Sequence, residues 1–152
     1  MLCKRLKCEH GFTLIQIIVA LAIVAILASI ALPSYQEVVR KGKRAEGWAA
    51  LYRLMQQEER FYSARNSYIR FSSASTDEDE RKFKWYSGST PETSAYEIKA
   101  EPCENDTLQN CILLRAEPGT EKVDSNYKDP VCGTLSLTSA GAKAANRPDC
   151  WH

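Results

Sequence analysis

The run from Phe12 to Leu32 constrains this chain more than any other feature: 21 residues without a charged side chain, apolar throughout except for Thr13, Gln16 and Ser29. As an α-helix rising 1.5 Å per residue it is about 31 Å long, enough to cross the hydrocarbon core of a bilayer. A short leader precedes it, carrying Lys4, Arg5, Lys7 and Glu9 and ending in Gly11. In an ordinary secretory signal the apolar run lies before the cleavage site and is discarded with it. Here a candidate junction, Gly11/Phe12, lies before the apolar run, so a cut there leaves the apolar helix at the new N-terminus. Two other readings remain open. Ser29-Ile30-Ala31 has the small-x-small form of a signal-peptidase site after Ala31, and the segment also reads as an uncleaved anchor.

At 152 residues the chain is expected to be one small domain plus that anchor. Hydrophobic residues make up 44% of it, many of them inside the apolar run, so the core of the remainder is expected to be modest. There are 20 basic and 19 acidic residues, and setting aside the leader leaves the rest close to neutral. No large overall field points to a nucleic-acid partner. Cys3 and Cys8 lie in the leader, whereas Cys103, Cys111, Cys132 and Cys150 lie in the distal part. Four cysteines allow three pairings. Neighbour pairing, Cys103–Cys111 and Cys132–Cys150, is expected because each closes a compact loop. Zinc is the competing use, but no C-x-x-C pair occurs and an oxidising compartment disfavours thiolates. No cofactor or metal is therefore expected. The leader's basic residues favour a cytoplasmic N-terminus, while Arg40, Lys41, Lys43 and Arg44 argue the opposite way. Cysteine usage decides for a distal domain outside the cytoplasm.

Beyond Pro33, which is expected to interrupt and kink the helix, apolar residues recur at spacings of three and four. They are Val38, Val39, Ala45, Trp48, Leu51, Leu54 or Met55, and Phe61 or Tyr62. This stripe predicts a helix to about Ser63–Ser67, packed on a core. Gly42 and Gly47 weaken it or permit a neighbour's close approach. Asp77-Glu78-Asp79-Glu80 reads as loop, because a calcium site wants spaced oxygens and a glycine turn. Tyr96, Ile98 and Ala100 alternate with polar residues and predict a strand. Cys111–Ala116 and Cys132–Thr138 predict two more, and Trp85-Tyr86 a short edge strand. A long helix followed by an antiparallel meander is an α+β fold.

Gly11-Phe12-Thr13-Leu14-Ile15 resembles the junction of type IV pilin and pseudopilin precursors, in which glutamate follows where this chain has Gln16. Cys132-Gly133-Thr134-Leu135-Ser136-Leu137, Gly141, Lys143 and Cys150-Trp151 resemble, more loosely, the C-terminal region of type IV minor pilins. The resemblance implies three parts. Residues 1–11 would be a leader, 12–34 a membrane-spanning helix that becomes filament core, and 35–152 a periplasmic α+β domain. It implies cleavage between Gly11 and Phe12 by prepilin peptidase, with N-methylation of Phe12. The subunit would wait in the inner membrane as a single-pass protein, then join other pilin subunits through the inner-membrane assembly machinery and reach the cell surface. Gln16 offers no ion pair to a neighbour's N-terminal amine, which implies a minor component. Ala25, where many relatives have glycine, implies a helix harder to unwind ahead of Pro33 by about 1 kcal/mol.

An enzyme is not expected. Catalytic triads need a positioned imidazole, and the one histidine beyond the leader is His152, in the last position. No Walker or Rossmann glycine loop occurs. The function expected is therefore structural: a minor pilin supporting a pilus in adhesion, twitching motility or DNA uptake. A type II secretion pseudopilin is the alternative, and an anchored domain outside any filament is another. A DNA-binding competence pilin is the remaining alternative, because Arg65, Arg70, Arg81, Lys82 and Lys84 adjoin Trp85 and Tyr86. Against it, Asp77 to Glu80 interrupt the basic segment.

Overall fold

The structure, a computed structural model, describes residues 13–151. The expected junction at Gly11 and Phe12, and His152, lie outside the described residues. Helix α1 spans Leu14–Arg65. A capping box starts it: the Thr13 N–H donates to Gln16 Oε1 (3.0 Å) and the Gln16 N–H donates to Thr13 Oγ1 (3.4 Å). Gln16 therefore satisfies its own helix end. At the other end Asn66 takes a left-handed conformation (φ 53°), and its N–H donates to Tyr62 O at 2.8 Å. The expected interruption at Pro33 does not occur, since α1 is continuous through it. A proline removes only one helical donor, and the turns on either side hold the remaining bonds.

The chain divides into two compact units, one ending at Val39 and one starting at Arg40. In the first, an 18-residue window has a mean hydropathy of 2.9 and none of it is buried. Leu14, Leu21 and Ile30, for example, are all exposed. A helix so apolar on every face is matched by lipid or by other apolar helices, not by water.

The second unit holds the rest of α1 and one antiparallel sheet in the order β1-β2-β3-β4. Its strands are β1 Tyr96–Pro102, β2 Ile112–Pro118, β3 Leu135–Thr138 and β4 Lys143–Ala144. Alternation explains the register. Ile98 lies opposite Ala116, Ala100 opposite Leu114, and Leu114 opposite Leu137, all on the buried face. That face packs on Ala50, Leu51 and Leu54 of α1. Gly47 permits the close approach, because a β-carbon there would stand 3.0 Å from the Tyr96 ring.

Most of the helix stripe read off the sequence packs on the core, with Trp48, Met55, Phe61 and Tyr62 partly buried against it. Leu51 and Leu54 are buried, but Val38, Val39 and Ala45 are exposed, while Arg44 and Glu58 are buried. The sheet sets that contact line, and hydrophobic periodicity does not register a buried charge. Strand β3 is shorter than expected: Gly133 adopts φ 57°, a left-handed angle outside the strand range, and Cys132, Gly133 and Thr134 lie before it. Trp85-Tyr86 yields only an isolated bridge, Tyr86 to Glu97, which with Phe71–Ala100 covers the free edge of β1.

Both expected disulfides are present, Cys103–Cys111 across the β1–β2 loop and Cys132–Cys150 joining the turn before β3 to the one-turn helix Pro148–Trp151. These four cysteines have no thiolate to offer zinc. Trp151 stacks on Trp48 of α1 at 6.1 Å, so the second bridge also ties the C-terminal turn to the helix. A buried ion pair fixes the loop before β3. Arg44 donates to Asp129 twice, Nε to Oδ2 at 2.9 Å and Nη2 to Oδ1 at 2.8 Å. The Tyr96 hydroxyl (3.0 Å) and the Cys132 N–H (3.1 Å) also donate to Asp129. Burial alone would raise the Asp129 carboxyl, but Arg44, Cys132 and Tyr96 outweigh it and hold it below the ordinary carboxylate value. Arg44 is raised, chiefly by that hydrogen bond.

Candidate functional site

The basic residues nominated beside Trp85 and Tyr86 are not a free cationic patch. Asp77 Oδ1 accepts the N–H groups of Asp79 (2.9 Å) and Glu80 (3.2 Å), which folds the acidic run into the turn Glu80–Lys82. That turn places acids on the bases. Asp79 pairs with Lys82 at 2.7 Å and Arg65 at 3.6 Å, and Glu80 pairs with Arg70 at 3.7 Å. The hydrogen bond from Lys82 holds the Asp79 carboxyl below its usual range. Three of the five nominated cations therefore face acids of the same segment, which leaves Arg81, exposed, and Lys84.

Lys84 belongs instead to a groove of about 240 Å³ lined by Ala50, Arg53, Leu54, Gln57, Lys84 and Tyr86. One wall is α1, which at spacings of three and four presents Arg53 and Gln57 beside Ala50 and Leu54. The other wall is the segment leading into β1, and it is firmly held. The Ile98 N–H donates to Trp85 O at 2.6 Å, the Ser87 N–H donates to Tyr96 O at 3.1 Å, and Gln57 Nε2 donates to Lys82 O at 3.2 Å. The Lys84 ammonium donates to Gly88 O and lies 4.6 Å from the centre of the Tyr86 ring. It keeps donors to spare, because an ammonium has three. Arg53 is exposed and contributes a second cation on the opposite wall. Trp85 meets Tyr86 edge to face at 5.1 Å and stiffens it. A cation on each wall, an aromatic ring beside one of them and the apolar Ala50 and Leu54 suit a phosphate backbone with an adjoining base or sugar.

A larger cleft, about 600 Å³, includes Arg70, Ser72, Asp77, Glu80, Lys99 and Glu101 in its lining. Its cations are already paired: Arg70 with Glu80, and Lys99 with Glu117 at 2.7 Å. It offers little to a polyanion. Among the described residues no cluster of three or more His, Cys, Asp or Glu is placed to hold a metal. Gln16 sits in the N-terminal capping box and Pro33 within the continuous helix, and neither is among the residues that line the groove. Sequence reasoning found Lys84 and Tyr86 but missed Arg53 and Gln57. The only signal available was their place on the polar side of the helix stripe, which marks solvent exposure as readily as a binding wall.

Comparison with known proteins adds the following. A family model described as "Type IV minor pilin ComP, DNA uptake sequence receptor" matches residues 33–136, and one described as "Prokaryotic N-terminal methylation motif" matches residues 6–32. The chain is 45% identical over 40 residues to the fimbrial protein EcpC of Eikenella corrodens, 26% of either chain. It is 33% identical over 64 residues to the type IV major pilin protein PilA of Myxococcus xanthus, 42% of this chain and 29% of that one. A fimbrial protein of Moraxella nonliquefaciens is 40% identical over 43 residues, 28% of each. The matched region thus spans less than a third of the length of these relatives. A type IV pilin structure from Shewanella oneidensis aligns with a TM-score of 0.47 and 26% identity, covering 74% of this chain and 97% of that one.

Proposed function

This chain belongs to the type IV minor pilins of the DNA uptake sequence receptor family, and from that premise we propose that it is a membrane-anchored minor pilin that binds DNA in the groove between Arg53 and Lys84. The observation that carries the reading is the placement of those two cations on facing walls of one groove, with Tyr86 beside Lys84. Near-neutral overall charge means that attraction comes from the groove itself, so binding is modest and sensitive to salt. Arg53 and Lys84 take phosphates, while Tyr86 meets a base or sugar. The test is fluorescence anisotropy of labelled duplex DNA with the full chain in detergent micelles across a salt series. The double variant Arg53→Ala/Lys84→Ala is expected to bind at least about tenfold more weakly, with a salt slope shallower by about two units. A slope unchanged in the double variant places the phosphate contacts elsewhere, and no binding by the wild type removes the reading.

In this reading prepilin peptidase cuts between Gly11 and Phe12, Phe12 is methylated, and the apolar part of α1 passes from the inner membrane into a filament of pilin subunits. The methylation-motif match and the wholly exposed apolar helix support it. Gln16, engaged with Thr13, acts within its own helix and makes no charge demand on a neighbour, which fits a sparse subunit better than a main repeating one. Mass spectrometry of the protein from cells with the peptidase is expected to show an N-methylated Phe12 terminus, and from cells without it an intact leader. Recovery of a chain beginning at Leu32 contradicts this assignment.

A further inference from the structure

The contacts that hold the Lys84 wall on α1 continue past the groove. Lys84 and Tyr86 share the groove with Arg53 and Leu54, Lys82 O accepts Gln57 Nε2 at 3.2 Å, and Asp79 pairs with Arg65 at 3.6 Å. As residue numbers rise on the helix, they fall on the facing segment. Residues 79–86 therefore run antiparallel to α1 along one seam, with the groove at the Arg53 end and the acidic turn at the Arg65 end. Buried side chains anchor that seam. Phe83 is buried, meets Phe61 of α1 edge to face at 6.1 Å and stacks on Phe71 at 5.2 Å. Core packing, not the charges along its rim, sets where the segment lies.

Two cations along this seam have no part in the groove. Arg60 and Arg81 are both exposed. Arg60 follows Arg53 by seven residues, two helical turns, so the two share one face of α1 about 10 Å apart along its axis. Arg81 adjoins Lys82, whose carbonyl holds Gln57, and so stands beside the same stretch of helix. The acids nearby are engaged elsewhere. Glu59 Oε1 accepts the Tyr68 hydroxyl at 2.9 Å, and Asp79 faces Lys82 and Arg65. The cations beyond the seam's rim are neutralised: Arg70 by Glu80, Lys99 by Glu117, Arg115 by Glu101. Arg53, Arg60, Arg81 and Lys84 form no ion pair with a described residue, so they concentrate positive potential along one line of a near-neutral chain. Phosphates on one DNA strand recur about every 3.4 Å along the duplex axis, so Arg53 and Arg60 are spaced for phosphates about three steps apart.

We propose that the groove is one end of a longer phosphate track. A sugar-phosphate backbone of duplex DNA lies along the seam, held by Arg53 and Lys84 at one end and by Arg60 and Arg81 at the other. The carboxylates of Glu78, exposed, and Asp79 stop it beyond Arg60 by like-charge repulsion. This rests on the reading of the groove given above and adds two contacts and a direction to it.

The test is fluorescence anisotropy of labelled duplex DNA with the full chain in detergent micelles across a salt series, run on three further variants. Arg60→Ala/Arg81→Ala is expected to bind roughly tenfold more weakly, with a salt slope shallower by about two units, since each phosphate contact contributes about 0.9. Both side chains are exposed, so the fold is retained. Arg60→Lys/Arg81→Lys keeps the charges and is expected to keep the wild-type slope, a rescue that a merely structural role does not give. Lys41→Ala/Lys122→Ala removes equal charge from exposed positions off the seam and is expected to leave the slope unchanged. If Arg53→Ala/Lys84→Ala lowers the slope and Arg60→Ala/Arg81→Ala does not, the track is overturned and the groove stands. An equal loss in Lys41→Ala/Lys122→Ala also overturns the track, because binding is then diffuse. A slope lowered at Arg60 and Arg81 but not at Arg53 and Lys84 overturns the groove together with the track that continues from it. A wild type that binds no DNA sinks both.

Discussion

Replacing Asp129 with alanine is expected to destabilise the protein by about 3–5 kcal/mol, because it strands Arg44 in the core without a counter-charge. Their side chains are 8% and 0% exposed, so water does not replace the lost partner. The same change removes the acceptor of the Tyr96 hydroxyl and of the Cys132 N–H, both buried bonds. Burial already pushes the Tyr96 hydroxyl well above the ordinary phenol value, so it has no anionic state in which to compensate. The double variant Arg44→Met/Asp129→Leu removes both charges and is expected to recover a large part of the loss, since a well-packed apolar pair often replaces a buried ion pair at little cost. Urea titrations of the full chain and its variants in micelles measure both. A single variant within 1 kcal/mol of wild type would show that Arg44 finds another acceptor. Asp129 also sets the acid limit. Its carboxyl is held low in the fold, so the stability it confers is present above the unfolded value near 3.8 and is lost as pH falls through the folded one.

The second large effect concerns the bridge Cys132–Cys150. It closes a loop with a sequence separation of 18, and its removal by paired alanine substitution is expected to cost about 3 kcal/mol, chiefly by freeing the unfolded chain. It should also have a spectroscopic signature. Trp151 is adjacent to Cys150, stacks on Trp48 and donates its indole N–H to Ala144 O at 3.0 Å, so losing the bridge frees an aromatic pair as well as β4. Tryptophan emission should shift to the red in the native baseline. Paired alanine substitution at Cys103 and Cys111 opens a loop with a separation of only 8, in the β1–β2 connection. It should lower stability slightly less and leave the emission where it was. If both pairs shift the emission equally, the C-terminal turn does not depend on its own disulfide.

How far the sequence could be read depends on the range of each interaction. The buried alternation of Tyr96, Ile98 and Ala100, and of Ile112, Leu114 and Ala116, is a local pattern, and both strands form where it lies. The third strand was overextended because Gly133 interrupts it through a left-handed backbone angle that hydrophobic pattern does not encode. β4 was missed because two exposed residues carry no alternation. The basic segment offers a patch only as an alternative reading that its acids interrupt, and in the fold those acids turn back onto Arg65, Arg70 and Lys82 through a turn started by Asp77. Arg53 and Lys84 become one site only when the segment before β1 docks on the helix.

The amino-acid order alone determined the apolar helix, the capping box of Thr13 and Gln16, the strand alternation and the cysteine pairs that close short loops, because each is an interaction between residues near in the chain or a repeat along it. Tertiary structure alone decided which cations remain free, that Arg44 and Glu58 are buried, and that a helix residue and a loop residue share a groove. Those outcomes depend on which surfaces are taken out of water together, and contacts between residues far apart in the chain leave no periodic trace in it.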